Sequence, residues 1–342
     1  MPAVAAPAKV LVTGASGFVA VWVVRTLLER GFNVVGTVRS NPKGDYLKDL
    51  YKEHGDRFSY VIVEDIEAEG AFDEAVKDVD AVAHTASPFH MHADDPAEII
   101  GPAVNGTVGV LRSIKAYGKN VKRVVITSSF AAIEVPKDPP FVFTEDDWND
   151  FSEDVIKKEG RDASASHKYR ASKTLAERAA WDFIKENPGL GFDLVAVNPP
   201  YVYGPPIHDV PKLESLNTSL MSFHSALMAK DSPVPDEKLV ESKGSWVDVR
   251  DVAAIHVEAL LQEAAGGERF CAASSAFTFQ DFLDALNDAG VPNIRKGVPG
   301  AGKNVPHNAQ SGEKATRVLG IKYKTIGESA KDTVEALRSR GW

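Results

Sequence analysis

Five short apolar runs punctuate the first 127 residues: Val10 to Val12, Asn33 to Arg39, Phe58 to Val63, Asp80 to His84 and Val121 to Thr127. Between them lie segments of helical character, Phe18 to Arg30, Asn41 to about His54, Glu69 to Lys77 and Pro96 to Tyr117. The runs are continuously apolar rather than alternating, as strands are when both faces of a sheet are covered. Strands that alternate with helices in this way build a parallel sheet. Right-handed crossovers then give an α/β, doubly wound fold with its ligand crevice at the C-terminal ends of the strands.

The first crossover is the most specific. Lys9-Val10-Leu11-Val12-Thr13-Gly14-Ala15-Ser16-Gly17-Phe18-Val19-Ala20 carries a strand through a glycine-spaced turn directly into a helix. A helix starting there presents free backbone N–H groups and a positive dipole end to a pyrophosphate. Gly14 allows the tight turn, Gly17 lets the backbone approach phosphate, and small Ala20 lets the helix sit close to the strand. Thr13, Ser16, Phe18 and Val19 complete the expected cradle.

A doubly wound domain that prefers NAD usually places a carboxylate at the end of the second strand, against the ribose 2′-hydroxyl. Here that place reads Gly36-Thr37-Val38-Arg39-Ser40, followed by Lys43. A guanidinium stands where a 2′-phosphate would sit, and its planar fork binds phosphate oxygens in pairs. The expected cofactor is therefore NADP(H). Asp65-Ile66, closing the third strand, is placed to border the adenine, although an ordinary strand-end aspartate reads the same way.

Past residue 127 the pattern loosens. Ser128 to Ser164 is irregular and proline-bearing, Ser166 to Lys185 reads as a long helix, and Asp193 to Asn198 as a sixth strand. Five prolines crowd positions 199 to 211, and a methionine-containing segment, Leu213 to Ala229, follows. Trp246 to Leu261 returns to strand-then-helix character. The expected layout is a cofactor (Rossmann) lobe over 1–199, with 240–262 returning to it, and a smaller discontinuous substrate lobe from 200–239 and 263–342.

Composition narrows the partners. A net charge of −9 argues against a nucleic acid or an anionic membrane surface. The single cysteine, Cys271, leaves no intramolecular disulfide to form. Met1 to Ala8 lacks the features of a secretory signal, and the expected location is the cytoplasm. The loop His90-Met91-His92-Ala93-Asp94 offers two histidines without a third placed ligand, so no metal is expected there.

The fifth strand ends in Thr127-Ser128-Ser129, at the crevice end of the sheet, and the long helix opens on Tyr169-Arg170-Ala171-Ser172-Lys173. Tyr169 and Lys173, four apart, share a helix face. The lysine is expected to lower the phenol pKa electrostatically, making a usable acid near neutrality, while a serine hydroxyl from the strand end holds the substrate oxygen.

With these residues together the chain resembles an extended short-chain dehydrogenase/reductase. The resemblance rests on Gly14 to Ala20, Ser129, Tyr169-x-x-x-Lys173, Asn198-Pro199 and Asp248-Val249-Arg250-Asp251-Val252-Ala253, and covers nearly the whole chain. It is nearest to the dihydroflavonol reductase-like branch. His84 to Phe89, Pro102 to Gly106 and Val197 to Pro205 are similar to fungal members of that branch, the NADPH-dependent methylglyoxal (isovaleraldehyde) reductases and related aldehyde and ketone reductases.

The resemblance implies roles. Tyr169 would donate the proton to the carbonyl oxygen, and Ser129, favoured over its neighbour Ser128 by the family pattern, would orient it. Lys173 would bind the nicotinamide ribose and tune Tyr169. Thr85, Ala86, Ser87 and Thr127 would line the cofactor, and Pro199 to Val202 would pass beside the nicotinamide. Aldehydes and ketones, α-dicarbonyls, aryl ketones and ketoesters among them, are the expected substrates, and the chain is expected to be a monomer or homodimer.

Candidate pocket walls are Phe89, Phe130, Tyr201 and Phe223; Phe223 reads equally well as core. The run Phe130 to Ile133 offers no polar handle for a flavonoid, which favours a compact apolar pocket. The rival readings are a dihydroflavonol- or cinnamoyl-type reductase on the same fold and a non-catalytic NADP(H)-sensing module.

Overall fold

The computed structural model describes residues 4–87, 93–229 and 233–342. Its centre is a seven-stranded, all-parallel sheet of β1 (Lys9–Thr13), β2 (Asn33–Val38), β3 (Phe58–Ile62), β4 (Ala81–His84), β5 (Arg123–Thr127), β7 (Asp193–Asn198) and β10 (Arg269–Cys271). The spatial order is β10-β7-β5-β4-β1-β2-β3, so the winding reverses between β1 and β4, where Thr13 pairs with His84. Ligands of doubly wound sheets bind at such a switch point.

The strands are continuously apolar because successive side chains enter two different cores. Val10 and Val12 join one core with Ala81, Ala83, Val125 and Val197, whereas Leu11 joins another with Val82, Val124 and Ile126. Helices α1 (Phe18–Glu29) and α2 (Asn41–Leu50) cover the first face; α3 (Ala97–Tyr117) and α5 (Ala165–Glu186) pack together on the second. The intrachain pairing of α3 with α5 is thus part of the chain's own second layer.

The segment Glu69 to Lys77, expected as a helix, forms successive turns instead. Its amides make short-range bonds, Ala71 N to Ala68 O and Asp73 N to Gly70 O, around Gly70 at φ 72°. Phe72 and Val76 are nevertheless buried in the second core. The helix expected from Asn41 to His54 ends as α2 at Leu50, and a 3-10 turn with Gly55 at φ 57° follows. Conversely, the stretch 128–164 contains β6 (Phe141–Phe143) and α4 (Asp150–Glu159), the latter capped by the Asn149 side chain on Ser152 N.

The smaller part is built on β8 (Tyr201–Tyr203), β9 (Ser245–Asp248) and β11 (Ser275–Ala276), with β12 (Asn308–Gln310) pairing β6. Helices α6 (Thr218–Leu227), α7 (Asp236–Leu239), α9 (Phe279–Asp288) and α11 (Ile326–Arg338) contribute to its core. Tyr203, Phe223, Phe277 and Phe282 meet edge-to-face or tilted at centroid distances of 5.2–5.6 Å. Helix α8 (Val249–Leu261) and α10 (Glu313–Leu319) both contribute to the first core of the large sheet. The boundaries therefore differ from those expected: β10, assigned to the smaller lobe, is the edge of the large sheet, and β9, assigned to the cofactor lobe, belongs to the small one.

Candidate active site

The glycine turn sits at the switch point as the sequence requires. Gly14 has φ 64°, the left-handed region, and an added Cβ would stand 3.0 Å from Ala86 Cα. Only glycine lets this turn meet the segment after β4 so closely. Gly14 N donates to Thr37 Oγ1 at 3.0 Å and Ala15 N to Thr37 O at 2.9 Å, tying the turn to β2. Gly17 precedes α1 as its N-cap with no side-chain cap, which leaves the first-turn amides to the crevice. Ser16 and Val19 are half-buried beside it, and Ala20 is buried.

Two cradle residues do other work. The Phe18 ring turns away into the second lobe's core and stands 5.3 Å from the His208 ring. Buried Thr13 organises the strand ends: its Oγ1 lies 2.9 Å from His84 Nδ1, and Ala86 N donates to it at 3.1 Å. The Thr85 hydroxyl donates to Thr13 O.

Arg39 is exposed just beyond β2, and Lys43 stands in the first turn of α2. Lys43 Nζ donates to Asp209 Oδ2 at 2.8 Å. Asp65 is exposed and accepts from Glu67 N at 2.9 Å; Ile66 is buried, against Gly106 of α3. An open helix start, a glycine no Cβ could replace and an exposed guanidinium at the end of β2 fit a dinucleotide carrying a 2′-phosphate.

Helix α5 opens at Ala165 behind the Ser164 cap and projects Tyr169, Lys173 and Glu177 from one face, four residues apart. Ser129 and Tyr169 lie close enough that the serine hydroxyl pulls the phenol's pKa down. Lys173 Nζ donates to Ser87 Oγ at 2.7 Å and lies 5.8 Å from the Tyr169 ring centroid. A small cavity of about 20 Å³ is lined by His84, Ala86, Ser87, Lys173 and Glu177. Among the described residues the His84 Nε2 has no partner.

The electrostatics correct one expectation. Burial raises the Tyr169 phenol above its ordinary value, outweighing the Ser129 hydroxyl and the Arg170 charge that pull it down. Burial also pushes Lys173 down to about 8. The expected lowering of the phenol by Lys173 is therefore not what dominates here: desolvation is the larger effect, and the opposing pull comes from Ser129 and Arg170. Buried His84 is pushed down to about 4, first by desolvation and then by the Lys173 charge.

The two serines separate cleanly. Ser128 is buried and its Oγ donates to Glu177 Oε2 at 2.5 Å, whereas the Oγ of half-buried Ser129 accepts from Ala131 N at 3.1 Å and acts on the Tyr169 phenol. Thr127, expected to line the cofactor, has its Oγ1 2.7 Å from His256 Nε2 of α8. The Pro199 carbonyl accepts from Phe130 N at 2.9 Å, fixing the loop after β7 to the strand end after β5; Val202 is buried in β8.

Of the pocket walls, Tyr201 is exposed and stacks near Tyr203. Phe130 is core, packed with Ile133, Phe143 and Cys271, and Phe223 is fully buried among aromatics. Phe89, and with it the loop histidines His90 and His92, lies outside the described residues.

The sequence reading missed Glu177. Its fully buried carboxylate accepts from Ser128 Oγ, from Asn198 Nδ2 at 2.7 Å, from Arg269 Nε at 2.6 Å and from Trp181 Nε1 at 3.3 Å. Asn198 Nδ2 also donates to Ser129 O at 3.2 Å. Arg269 stacks on Trp148 at 3.8 Å and reaches the carbonyls of Glu145 and Asp147. The signal was present as a third residue in the four-step spacing from Tyr169 and Lys173.

A switch-point crevice with these side chains converging on it defines a class, the extended short-chain dehydrogenases/reductases. The chain belongs to that class: residues 10–273 match the NAD dependent epimerase/dehydratase family. A putative NADPH-dependent methylglyoxal reductase of Candida albicans is 39% identical over 95% of this chain and 97% of that protein. The NADPH-dependent methylglyoxal reductase of Saccharomyces cerevisiae is 36% identical over 96% of this chain and 98% of its own length. The crystal structure of Candida albicans Gre2 in complex with NADPH superposes with a TM-score of 0.85 at 38% identity, covering 97% of this chain and 99% of that one.

Proposed function

We propose that the chain is an NADPH-dependent carbonyl reductase that converts small aldehydes and ketones, α-dicarbonyls such as methylglyoxal among them, to alcohols. The observation that carries this reading is the convergence on the crevice of Ser129, whose hydroxyl acts on the Tyr169 phenol, and Lys173, one turn further along the same helix and 5.8 Å from the Tyr169 ring centroid. The relatives' names support the substrate class and cofactor.

Gly14, Ser16 and Gly17 hold the pyrophosphate, and Arg39 and Lys43 the 2′-phosphate. Ile66 and Asp65 border the adenine, and Thr85 to Ser87 with Pro199 to Val202 line the nicotinamide end. The bound dinucleotide supplies hydride from C4 of its ring to the carbonyl carbon.

Tyr169, kept as the neutral phenol by burial, gives its proton to the carbonyl oxygen as charge develops there. Ser129 donates a hydrogen bond to the same oxygen and fixes its distance from Tyr169. Lys173, cationic below about pH 8, stabilises the phenolate that Tyr169 becomes and binds the ribose hydroxyls.

The protein acts as a monomer or homodimer in the cytoplasm; among the described residues no helix is long and apolar enough to cross a membrane. NADPH oxidation measured against methylglyoxal, isovaleraldehyde, an aryl ketone, a β-ketoester and a dihydroflavonol tests the reading. Turnover with the small carbonyls is expected. Turnover of the dihydroflavonol alone, or no cofactor consumption with any of them, would overturn it.

A further inference from the structure

The segment 205–210, which follows β8, crosses the start of α1 and α2 like a strap. Trp22 Nε1 donates to Pro205 O at 3.0 Å and the Tyr46 hydroxyl to Ile207 O at 2.9 Å. The Arg340 guanidinium donates to Pro206 O at 3.0 Å and His208 O at 3.1 Å. The His208 ring lies against Phe18. Backbone carbonyls and one buried ring thus fix the strap without help from Asp209.

Asp209 adds something different. It takes the Lys43 ammonium at 2.8 Å, in a pair whose side chains are 40% and 36% exposed. An ion pair so exposed contributes little to folding. Lys43 is also the cation that the proposed function assigns, with Arg39, to the 2′-phosphate.

We propose that Asp209 is a specificity-determining residue for the adenosine end of the cofactor. Its carboxylate competes with the 2′-phosphate for Lys43 and repels that phosphate across the shared ammonium. It thereby weakens the grip on NADP(H) relative to NAD(H) and speeds release of the oxidised dinucleotide. This rests on the reading that Arg39 and Lys43 hold the 2′-phosphate. The ammonium has three donors but a single charge, so a carboxylate and a phosphate dianion on it oppose each other at every separation shorter than the screening length.

Calorimetric titration of the full chain with adenosine 2′,5′-bisphosphate and with 5′-AMP tests the proposal without turnover. Asp209→Asn is expected to tighten the bisphosphate about three- to tenfold and to leave 5′-AMP unchanged. The gain shrinks as salt is raised and is lost in a Lys43→Met background. Unchanged or weaker bisphosphate binding in Asp209→Asn, or equal tightening of 5′-AMP, would overturn it. Lys43→Met measured alone separates the two levels. Bisphosphate affinity unaffected by that substitution would remove the phosphate-site reading itself, and the proposal with it. A melting temperature unchanged in Asp209→Asn verifies that the strap is in place.

Discussion

Glu177→Gln is the substitution whose consequences are most fully determined by the geometry. The carboxylate is fully buried and accepts five hydrogen bonds at 2.5–3.4 Å from four residues, of which Arg269 is a buried cation. Glutamine keeps one acceptor oxygen but introduces an NH₂ that faces the donors of Ser128, Asn198 or Arg269. It also removes the negative charge while Arg269 stays buried, holding two backbone carbonyls. Breaking a buried ion pair from one side costs about 3–5 kcal/mol, because the remaining charge is uncompensated. Equilibrium urea unfolding followed by tryptophan fluorescence reads that loss directly.

The same change loosens Asn198, whose amide is shared between Glu177 and the Ser129 carbonyl. Ser129 then loses part of its hold opposite Tyr169, and kcat is expected to fall by roughly tenfold or more with nucleotide binding unchanged. A destabilisation below about 0.5 kcal/mol, the range of ordinary surface changes, would refute the reasoning about the buried pair. Arg269→Met combined with Glu177→Met is expected to recover much of the stability, as apolar replacement of both partners removes the stranded charge.

Other outcomes follow from the same contacts. Ser128→Ala is expected to lose about 1.5–3 kcal/mol of stability, the worth of a hydrogen bond to a buried carboxylate, with a modest effect on kcat. Ser129→Ala is expected to do the opposite, lowering kcat on the order of 10²-fold or more at nearly unchanged stability; the reverse assignment of losses would name Ser128 as the substrate-facing hydroxyl. Asp251, buried and accepting from Lys324 N at 2.8 Å, has its carboxyl pushed up to about 7, first by burial and further by Asp248. Its native pKa exceeds the unfolded one, so its contribution is present below about pH 4 and is lost as pH rises towards 7, at up to about 1.4 kcal/mol per pH unit. Asp251→Asn keeps the acceptor and removes that slope; thermal melts at pH 5 and pH 8 are expected to show the variant gaining on the wild type at the higher pH, and an equal difference at both would contradict it.

The doubly wound sheet was legible because its inner strands bury both faces, which leaves an unbroken apolar run in the sequence. The glycine turn was legible because a positive φ and a backbone approach to Ala86 admit a single residue type. Helix α4 was hidden by its polar composition, and residues 69–77 misled because Phe72 and Val76 have helical spacing but sit on turns. Phe223 was ambiguous for a different reason: the aromatic cluster that buries it comes from remote segments. The Lys43–Asp209 pair joins positions 166 residues apart, and no local pattern signals it. The direction of the Tyr169 shift depends on desolvation, a property of the fold rather than of the four-residue spacing to Lys173.

The central claim is that Tyr169 delivers the proton to a carbonyl in a crevice that binds the cofactor independently of it. Tyr169→Phe removes the hydroxyl and keeps the ring, so its effect on NADPH oxidation with methylglyoxal, measured beside NADPH affinity by fluorescence titration, tests that claim directly. Turnover reduced by at least about 10²-fold with NADPH affinity unchanged is expected. Turnover within a few fold of the wild type would contradict it.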